Sequence, residues 1–301
     1  MPRPPKPAVT ERPNPASRGL DARPLADILR LMNREDGRAV RAVGRALPRV
    51  AAAVRRLVRV LRGGGRCLFA GAGTSGRLAA MEAAECPPTF GTPPRQFAAL
   101  IAGGPGALLR AVEGAEDDAA AGARQVRGAR VGRRDLVVGI SAGGAAPWVR
   151  GVLGEARRRG AGTLLVTCAA RPALAPGADL VIPLAVGPEV LAGSTRLKGG
   201  TATKLALNML TTAAMAQAGR IYDNLMVDVR PTNAKLRARA ERIVAAIGKV
   251  APSAARRRLA EAGWDVKAAA LAAARGLAPA QARAALQRAG GRLRAALAAR
   301  P

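Results

Sequence analysis

Cys67-Leu68-Phe69-Ala70-Gly71-Ala72-Gly73-Thr74-Ser75-Gly76 is the stretch that decides the fold. Four apolar residues run directly into a Gly-rich turn, and a helical pattern follows as far as Glu85, where Pro87 and Pro88 predict its end. A short apolar run bounded in this way reads as a buried strand. The same alternation recurs downstream. Residues 97–101 predict a second strand closed by Gly103-Gly104, and 135–140 a third that runs into Ser141-Ala142-Gly143-Gly144. Residues 163–168 and 180–186 predict a fourth and a fifth, with Pro183 assigning the last to an edge. Helices are expected between them at 107–125 and 147–159, and at 194–218 after the fifth strand. Strands separated by helices of this length predict an α/β fold with a doubly wound, mostly parallel sheet. Ligands in such folds sit at the carboxyl ends of the strands, where the Gly-rich loops fall.

Working outward, residues 1–22 are rich in Pro and Arg and carry no helical or strand period, which predicts a flexible tail. Residues 23–62 predict N-terminal helices: a short one over 24–32, then a longer one after Pro48 with Val50, Val54, Leu57, Val58 and Leu61 on one face. Gly63-Gly64-Gly65 stops it. The sheet domain is expected to span 63–228. From 232 to 301 the pattern is purely helical, broken at Gly263, at Gly276-Leu277-Ala278-Pro279 and at Gly290-Gly291, which predicts a separate small helical domain.

Composition narrows the chemistry. The chain has no His, so no imidazole can act as base or metal ligand. Cys67, Cys86 and Cys168 lie far apart without CxxC spacing, which argues against structural zinc and against a disulfide framework. Proton transfers must then fall to carboxylates or lysines. The net charge of +29 invites a nucleic-acid reading. The Arg residues are scattered rather than clustered, however, and only three Phe, two Trp and one Tyr are present to stack on bases. A small anionic ligand fits better than nucleic acid. No apolar run approaches the roughly 18 residues of a membrane span, and the Pro-rich start lacks a secretory apolar stretch, so a cytoplasmic protein with no membrane partner is expected.

Gly71-Ala72-Gly73-Thr74-Ser75-Gly76 satisfies GxGxxG between a strand and a helix. A dinucleotide site wants an acidic residue at the end of the second strand, and that strand ends instead in Ile101-Ala102-Gly103-Gly104. Thr74 and Ser75 place hydroxyls beside backbone N–H groups at a helix N-terminus, which suits a phosphate monoester; a plain tight turn is the competing reading. Ser141, Gly143 and Gly144 occupy the equivalent place after the third strand, either as a second wall for the phosphate or as an ordinary Gly turn. Glu82 and Glu85 lie one turn apart on the first helix of the sheet domain. Glu113, Glu116, Asp117 and Asp118 are expected on the helix after the second strand. A solvated helix face is the commoner reading of each cluster, and an acid–base pair is the competing one. Lys198 and Lys204 are two of only six Lys among the 49 basic residues, which points either to a need for a compact ammonium or to chance.

The order of several segments resembles the N-acetylmuramate 6-phosphate etherases of the sugar isomerase (SIS) fold. They are Gly71 to Leu78, Ala84-Glu85-Cys86-Pro87-Pro88-Thr89-Phe90-Gly91, Ala111-Val112-Glu113-Gly114-Ala115-Glu116-Asp117-Asp118, Gly187-Pro188-Glu189-Val190 and Gly193-Ser194-Thr195-Arg196-Leu197-Lys198. Asn224-Leu225-Met226-Val227-Asp228-Val229 and the opening Thr10-Glu11-Arg12-Pro13-Asn14 are similar too. The resemblance implies cofactor-free cleavage of a phosphorylated amino sugar, N-acetylmuramate 6-phosphate, to N-acetylglucosamine 6-phosphate and D-lactate, by a homodimer. It implies Glu85 as the acid that protonates departing lactate and then activates water, and Glu116 as the base for the proton beside the aldehyde. It implies substrate binding by Gly73, Thr74, Ser75, Ser141, Gly143, Gly144, Glu189, Ser194, Thr195 and Lys198. A sugar-phosphate-binding regulator and a sugar-phosphate isomerase are the alternatives on the same fold. The family loop after the third strand reads Ser-Ala-Ser-Gly-Arg-Thr-Pro, whereas here it reads Ser141-Ala142-Gly143-Gly144-Ala145-Ala146-Pro147. Each charge-assisted hydrogen bond so lost costs about 1.5–3 kcal/mol of binding.

Overall fold

The computed structural model describes residues 8–299, and among them five strands form one sheet. They are β1 Cys67–Gly71, β2 Phe97–Ile101, β3 Leu136–Ile140, β4 Gly162–Thr167 and β5 Leu180–Pro183, in the spatial order β2-β1-β3-β4-β5. Every neighbouring pair is parallel. β1 and β3 are buried at every position, as central strands covered on both faces must be, while β2 and β5 are partly exposed. Pro183 closes β5 at the edge, where its missing N–H removes no ladder bond.

Helices flank this sheet: α1 Leu25–Arg62, α2 Gly73–Phe90, α3 Ala119–Gly128, α4 Pro147–Arg158 and α5 Lys198–Gln217. α4 packs on β1, β3 and β4 and against α3. Trp148, Val149 and Leu153 of α4 share a core with Leu68, Val137 and Leu165 of the strands. α1 packs on β1 and β5. Phe69, one residue on from Leu68 and therefore on the other face of β1, stacks against Phe97 with centroids 6.3 Å apart.

Several elements differ from expectation. α1 is one helix of 38 residues rather than two pieces, with Pro48 inside it. Its buried positions Leu31, Ala39, Val43, Ala46, Val50, Val54, Leu57 and Leu61 recur at helical spacing on both sides of Pro48. Pro48 itself is exposed, so continuous packing of the opposite face outweighs one lost backbone bond. α2 runs through Pro87 and Pro88 to Phe90, and its stop is Gly91, which takes φ +61° and donates its N–H to the Pro87 carbonyl at 3.0 Å. Residues 8–22 are not a tail: they form 3-10 turns at Val9–Glu11, Pro15–Ser17 and Leu20–Ala22, with Thr10 and Asn14 buried. Residues 1–7 of the expected tail lie outside the described residues. The helix expected over 107–125 is a 3-10 turn at Pro105–Leu108, an irregular stretch, and then α3. Gly114 takes φ +69° there, and Asp118 caps α3 by accepting the Ala121 N–H at 2.8 Å. Short polar side chains favour such caps over helix interiors, so the acidic run from Glu113 to Asp118 lies in a loop.

Packing divides the chain into two compact units. The first takes the residues up to Ala83 and Arg95–Thr211, and the second takes Ala84–Pro94 and the residues from Thr212 onward. The boundary thus falls earlier than the expected 228–232. The second unit carries α6 Ala234–Gly248, α7 Pro252–Glu261, α8 Val266–Arg275, α9 Pro279–Arg288 and α10 Leu293–Ala298. α8 is buried on nearly every side, which its run of alanines permits. Its one buried cation, Lys267, spends its donors on the Gly219 and Gly291 carbonyls, both at 2.9 Å, and on Asp228 at 2.8 Å.

In the first unit a buried polar knot joins segments distant in sequence. The Lys198 side chain is fully buried; its ammonium donates to the Glu35 carboxylate and, at 2.6 Å, to the Pro188 carbonyl. The Asn14 amide donates to Glu35 at 2.8 Å and to the same Pro188 carbonyl at 3.2 Å. Burial alone would raise the Glu35 pKa, but the hydrogen bonds from Lys198 and Asn14 and the charges of Lys198 and Arg38 hold it below the ordinary carboxylate range. Lys198→Met strands a buried carboxylate, an effect on the order of 3–5 kcal/mol, and is expected to lower Tm by about 10 °C in a thermal melt. The double change Glu35→Leu with Lys198→Met should recover most of that loss. A depressed folded pKa contributes stability above the unfolded value of about 4.3 and loses it as pH falls through the folded value. The wild-type margin over the double variant should therefore shrink in melts below about pH 4; a margin constant down to pH 2 would contradict the assignment.

Candidate active site

β1 and β3 are neighbours, but the chain leaves β1 toward β2 on one side and reaches β3 on the other. The loops at their carboxyl ends diverge, and a crevice opens between them. Its first wall is the turn from β1 into α2. A Cβ on Gly71 would lie 2.7 Å from the Ser75 carbonyl carbon, and one on Gly76 only 2.5 Å from Ile101 Cγ1. Glycine at both positions lets α2 begin immediately after the strand, with Gly73 at φ +53°. Thr74 and Ser75 consequently occupy the first turn of α2, whose N–H groups have no acceptor within the helix. The second wall is the loop after β3. Gly144 takes φ +71° and donates its N–H to the Ser141 carbonyl at 3.0 Å; a Cβ there would meet Pro172 at 2.6 Å.

Together these walls enclose a cleft of about 530 Å³. Gly73, Thr74, Ser75, Ser141, Gly143, Thr195 and Glu116 all line it, so most of the residues picked from the sequence converge on one site. Glu116 reaches it from the loop before α3, anchored where its carbonyl accepts the Trp148 N–H at 2.8 Å. Asp117 and Glu11 also line the cleft, and among the described residues no Lys or Arg does. Nor does any group of three or more His, Cys, Asp or Glu gather in a metal-holding arrangement among them.

The other picks lie elsewhere. Lys198 is not a cleft cation, because its ammonium is spent in the buried knot. Glu189 is fully buried and caps α5, accepting the N–H groups of Lys198 at 3.0 Å and Gly199 at 2.8 Å. Burial raises its pKa, and those two hydrogen bonds pull against the rise. Beside it, burial and the Glu189 charge push the Cys168 thiol up to about 12, leaving an inert core residue. Gly144 lies beneath the second wall, and Ser194 is a neighbour of the lining Thr195 without lining the cleft itself. Glu85 is exposed on α2, ten residues beyond Ser75 and so about 15 Å further along the helix axis. Glu82, by contrast, is buried and joins α2 to α5 by accepting from Lys204 at 3.0 Å and from the Thr211 hydroxyl at 2.6 Å.

Glu11 escaped the sequence reading because a Pro- and Arg-rich composition masked the turn that carries it. The usable signal was the run Thr10 to Asn14. Thr10 is buried, and its carbonyl accepts the Gly193 N–H at 2.9 Å, which ties the turn to the loop bearing Thr195.

A doubly wound parallel sheet with a cleft of backbone donors, hydroxyls and carboxylates at its switch point is the architecture of a SIS domain. Residues 49–157 match the family described as "Glucokinase regulatory protein N-terminal SIS domain", and residues 118–213 match "SIS domain". The chain is 51% identical over 262 residues to the N-acetylmuramic acid 6-phosphate etherase of Cutibacterium acnes, covering 87% of this chain and 86% of that one. It is 46% identical over 289 residues to the etherase of the same name from Serratia proteamaculans, covering 96% and 97% respectively. A solved phosphoheptose isomerase from Francisella tularensis is similar at 20% identity and a TM-score of 0.49, covering 62% of this chain and 98% of that one. The chain belongs to the N-acetylmuramic acid 6-phosphate etherase family.

The loop after β3 allows a direct test of the expectation that it forms a second wall for a phosphate. A Cβ on Gly143 would meet nothing nearer than Thr10 Oγ1 at 3.9 Å, so a hydroxymethyl group fits without strain. Gly143→Ser is expected to tighten a sugar 6-phosphate several-fold by calorimetry, because it adds a donor at the wall. Unchanged or weaker binding would mean that the phosphate docks elsewhere.

Proposed function

We propose that this chain is a carbon–oxygen lyase that cleaves the D-lactyl ether of N-acetylmuramate 6-phosphate, giving N-acetylglucosamine 6-phosphate and D-lactate. The observation that carries the reading is Glu116, a carboxylate fixed by its own backbone bond to Trp148 on the rim of a cleft that also offers N–H groups and hydroxyls. The phosphate docks at the first turn of α2, where Thr74, Ser75 and the free backbone donors meet it, with Ser141 and Gly143 opposite. In the ring-opened sugar the proton on the carbon beside the aldehyde passes to Glu116. The electron pair left behind forms the carbon–carbon double bond as the ether bond to lactate breaks, and the lactate oxygen takes a proton from Glu85. Water then adds to the carbon that carried the ether, Glu85 accepting its proton while Glu116 returns its own to the carbon beside the aldehyde, so that both residues are restored and one water is consumed in all. No cofactor enters these steps, and turnover should be unaffected by EDTA.

Glu85 does not line the cleft, and it follows Ser75 by ten residues along α2. In this reading the enzyme is a homodimer, and Glu85 of a second copy completes each site.

Incubation of purified protein with N-acetylmuramate 6-phosphate should release D-lactate. Glu116→Gln and Glu85→Gln should each reduce that release at least a thousandfold while leaving the thermal melt unchanged. Turnover within threefold of wild type removes the altered residue from its assigned step, and no lactate from wild type leaves a sugar-phosphate-binding regulator instead. Mixing Glu85→Gln chains with Ser75→Ala chains tests the shared site, because each verified mixed dimer should recover one working site. Mixed dimers as inactive as their parents would rule out sharing.

A further inference from the structure

We propose that Glu11 is a specificity-determining residue of this cleft, accepting a hydrogen bond from a neutral donor of the sugar, either its acetamido N–H or a ring hydroxyl. The inference rests on the sugar-phosphate reading of the cleft and adds to it a residue from a segment that the sequence assigns to a tail.

Glu11 is held in place from both sides. Before it, Thr10 is buried, its carbonyl bound to the Gly193 N–H at 2.9 Å and its hydroxyl donating to Glu11 Oε1 at 3.2 Å. After it, Asn14 is locked into the buried knot with Glu35 and Pro188. The 3-10 turn Val9–Glu11 is thereby pinned at both ends, and its last side chain lines the cleft beside Thr195. Gly193 makes room for it: at φ +78° this residue bears no Cβ, and one built there would stand 2.9 Å from Glu11 Oε2. The Gly193 backbone thus lies close beside this carboxylate.

The charge pattern of the cleft determines what the carboxylate can meet. Glu11, Glu116 and Asp117 are its ionisable lining groups, and among the described residues no Lys or Arg lines it. A carboxylate here cannot face the phosphate or any other anion of the ligand without strong repulsion. Nor does it need a cation to be useful, since a carboxylate accepts strongly from neutral O–H and N–H groups. The anion therefore keeps to the donors of α2, and Glu11 reads the uncharged part of the sugar. A site that hydrogen-bonds a substrate group rejects analogues lacking it far more effectively than an apolar wall does.

The test is calorimetry of wild type, Glu11→Ala and Glu11→Gln with N-acetylglucosamine 6-phosphate, glucose 6-phosphate and inorganic phosphate. Glu11→Ala is expected to weaken N-acetylglucosamine 6-phosphate at least tenfold and inorganic phosphate less than twofold. Glu11→Gln, which keeps an acceptor oxygen, should lose less than the alanine. If the loss is confined to the acetamido sugar, the donor is the amide; if glucose 6-phosphate loses equally, it is a hydroxyl. Equal affinity of Glu11→Ala and wild type for both sugars overturns the proposal, as does tighter binding of inorganic phosphate, which would place Glu11 against the anion. Wild type that binds the amino sugar phosphate but releases no lactate overturns the etherase reading and leaves this proposal standing. Wild type that binds neither sugar phosphate overturns both.

Discussion

The ammonium of Lys198, sealed from water and bound to Glu35, is the constraint on which the first unit depends. Removing both charges from solvent carries a desolvation penalty that often equals their attraction, so the pair is not simply a source of net stability. Its value lies in registry. Only one arrangement of the chain brings Asn14, Glu35, the Pro188 carbonyl and Lys198 within hydrogen-bonding distance of one another. Any slip of α1 against α5, or of the N-terminal turn against either, leaves a buried charge without a partner.

What the knot registers is the rim of the cleft. Lys198 is the first residue of α5, and Glu189 caps the same helix end, so the loop between them, with Thr195, has both ends anchored. Asn14 fixes the turn that carries Glu11, and Trp148 fixes the loop that carries Glu116. On the opposite wall, close backbone contacts permitted by Gly71 and Gly76 fix the start of α2. The side chains that line the cleft are short or loop-borne, and their precision comes from buried polar groups and glycines behind them. This division of labour accounts for Lys198 and Glu189, which the sequence places in the site and which lie buried behind its rim without lining the cleft.

The sheet was legible because its strands are short apolar runs set off by glycines, a local signal that packing only reinforces. The five strands were placed to within a few residues, and Pro183 marked its edge correctly. The misplaced elements share a cause: local propensity was overruled by burial elsewhere. Pro48 reads as a helix start, yet the apolar stripe of α1 continues past it. Residues 8–22 read as a tail, but two side chains, Thr10 and Asn14, tie them down. The acidic run before α3 has helical composition, while Gly114 and the capping carboxylate of Asp118 hold it in a loop. In the site, residues on turns adjacent to strand ends were legible. Lys198 and Glu11 were not, because whether a charged side chain faces solvent, core or cleft is set by contacts with segments a hundred or more residues away.

The donors that line the cleft are N–H dipoles and hydroxyls, whereas the net charge of +29 is distributed over the rest of the chain. These two sources of attraction have different ranges. The field of many scattered cations reaches beyond the surface and is screened within about 8 Å at physiological ionic strength. Hydrogen bonds inside the cleft act at contact and are nearly blind to salt. Ionic strength should therefore govern how often a phosphorylated ligand arrives and have little hold on how long it stays, so that the protein's affinity and its capture rate are set by separate parts of the molecule.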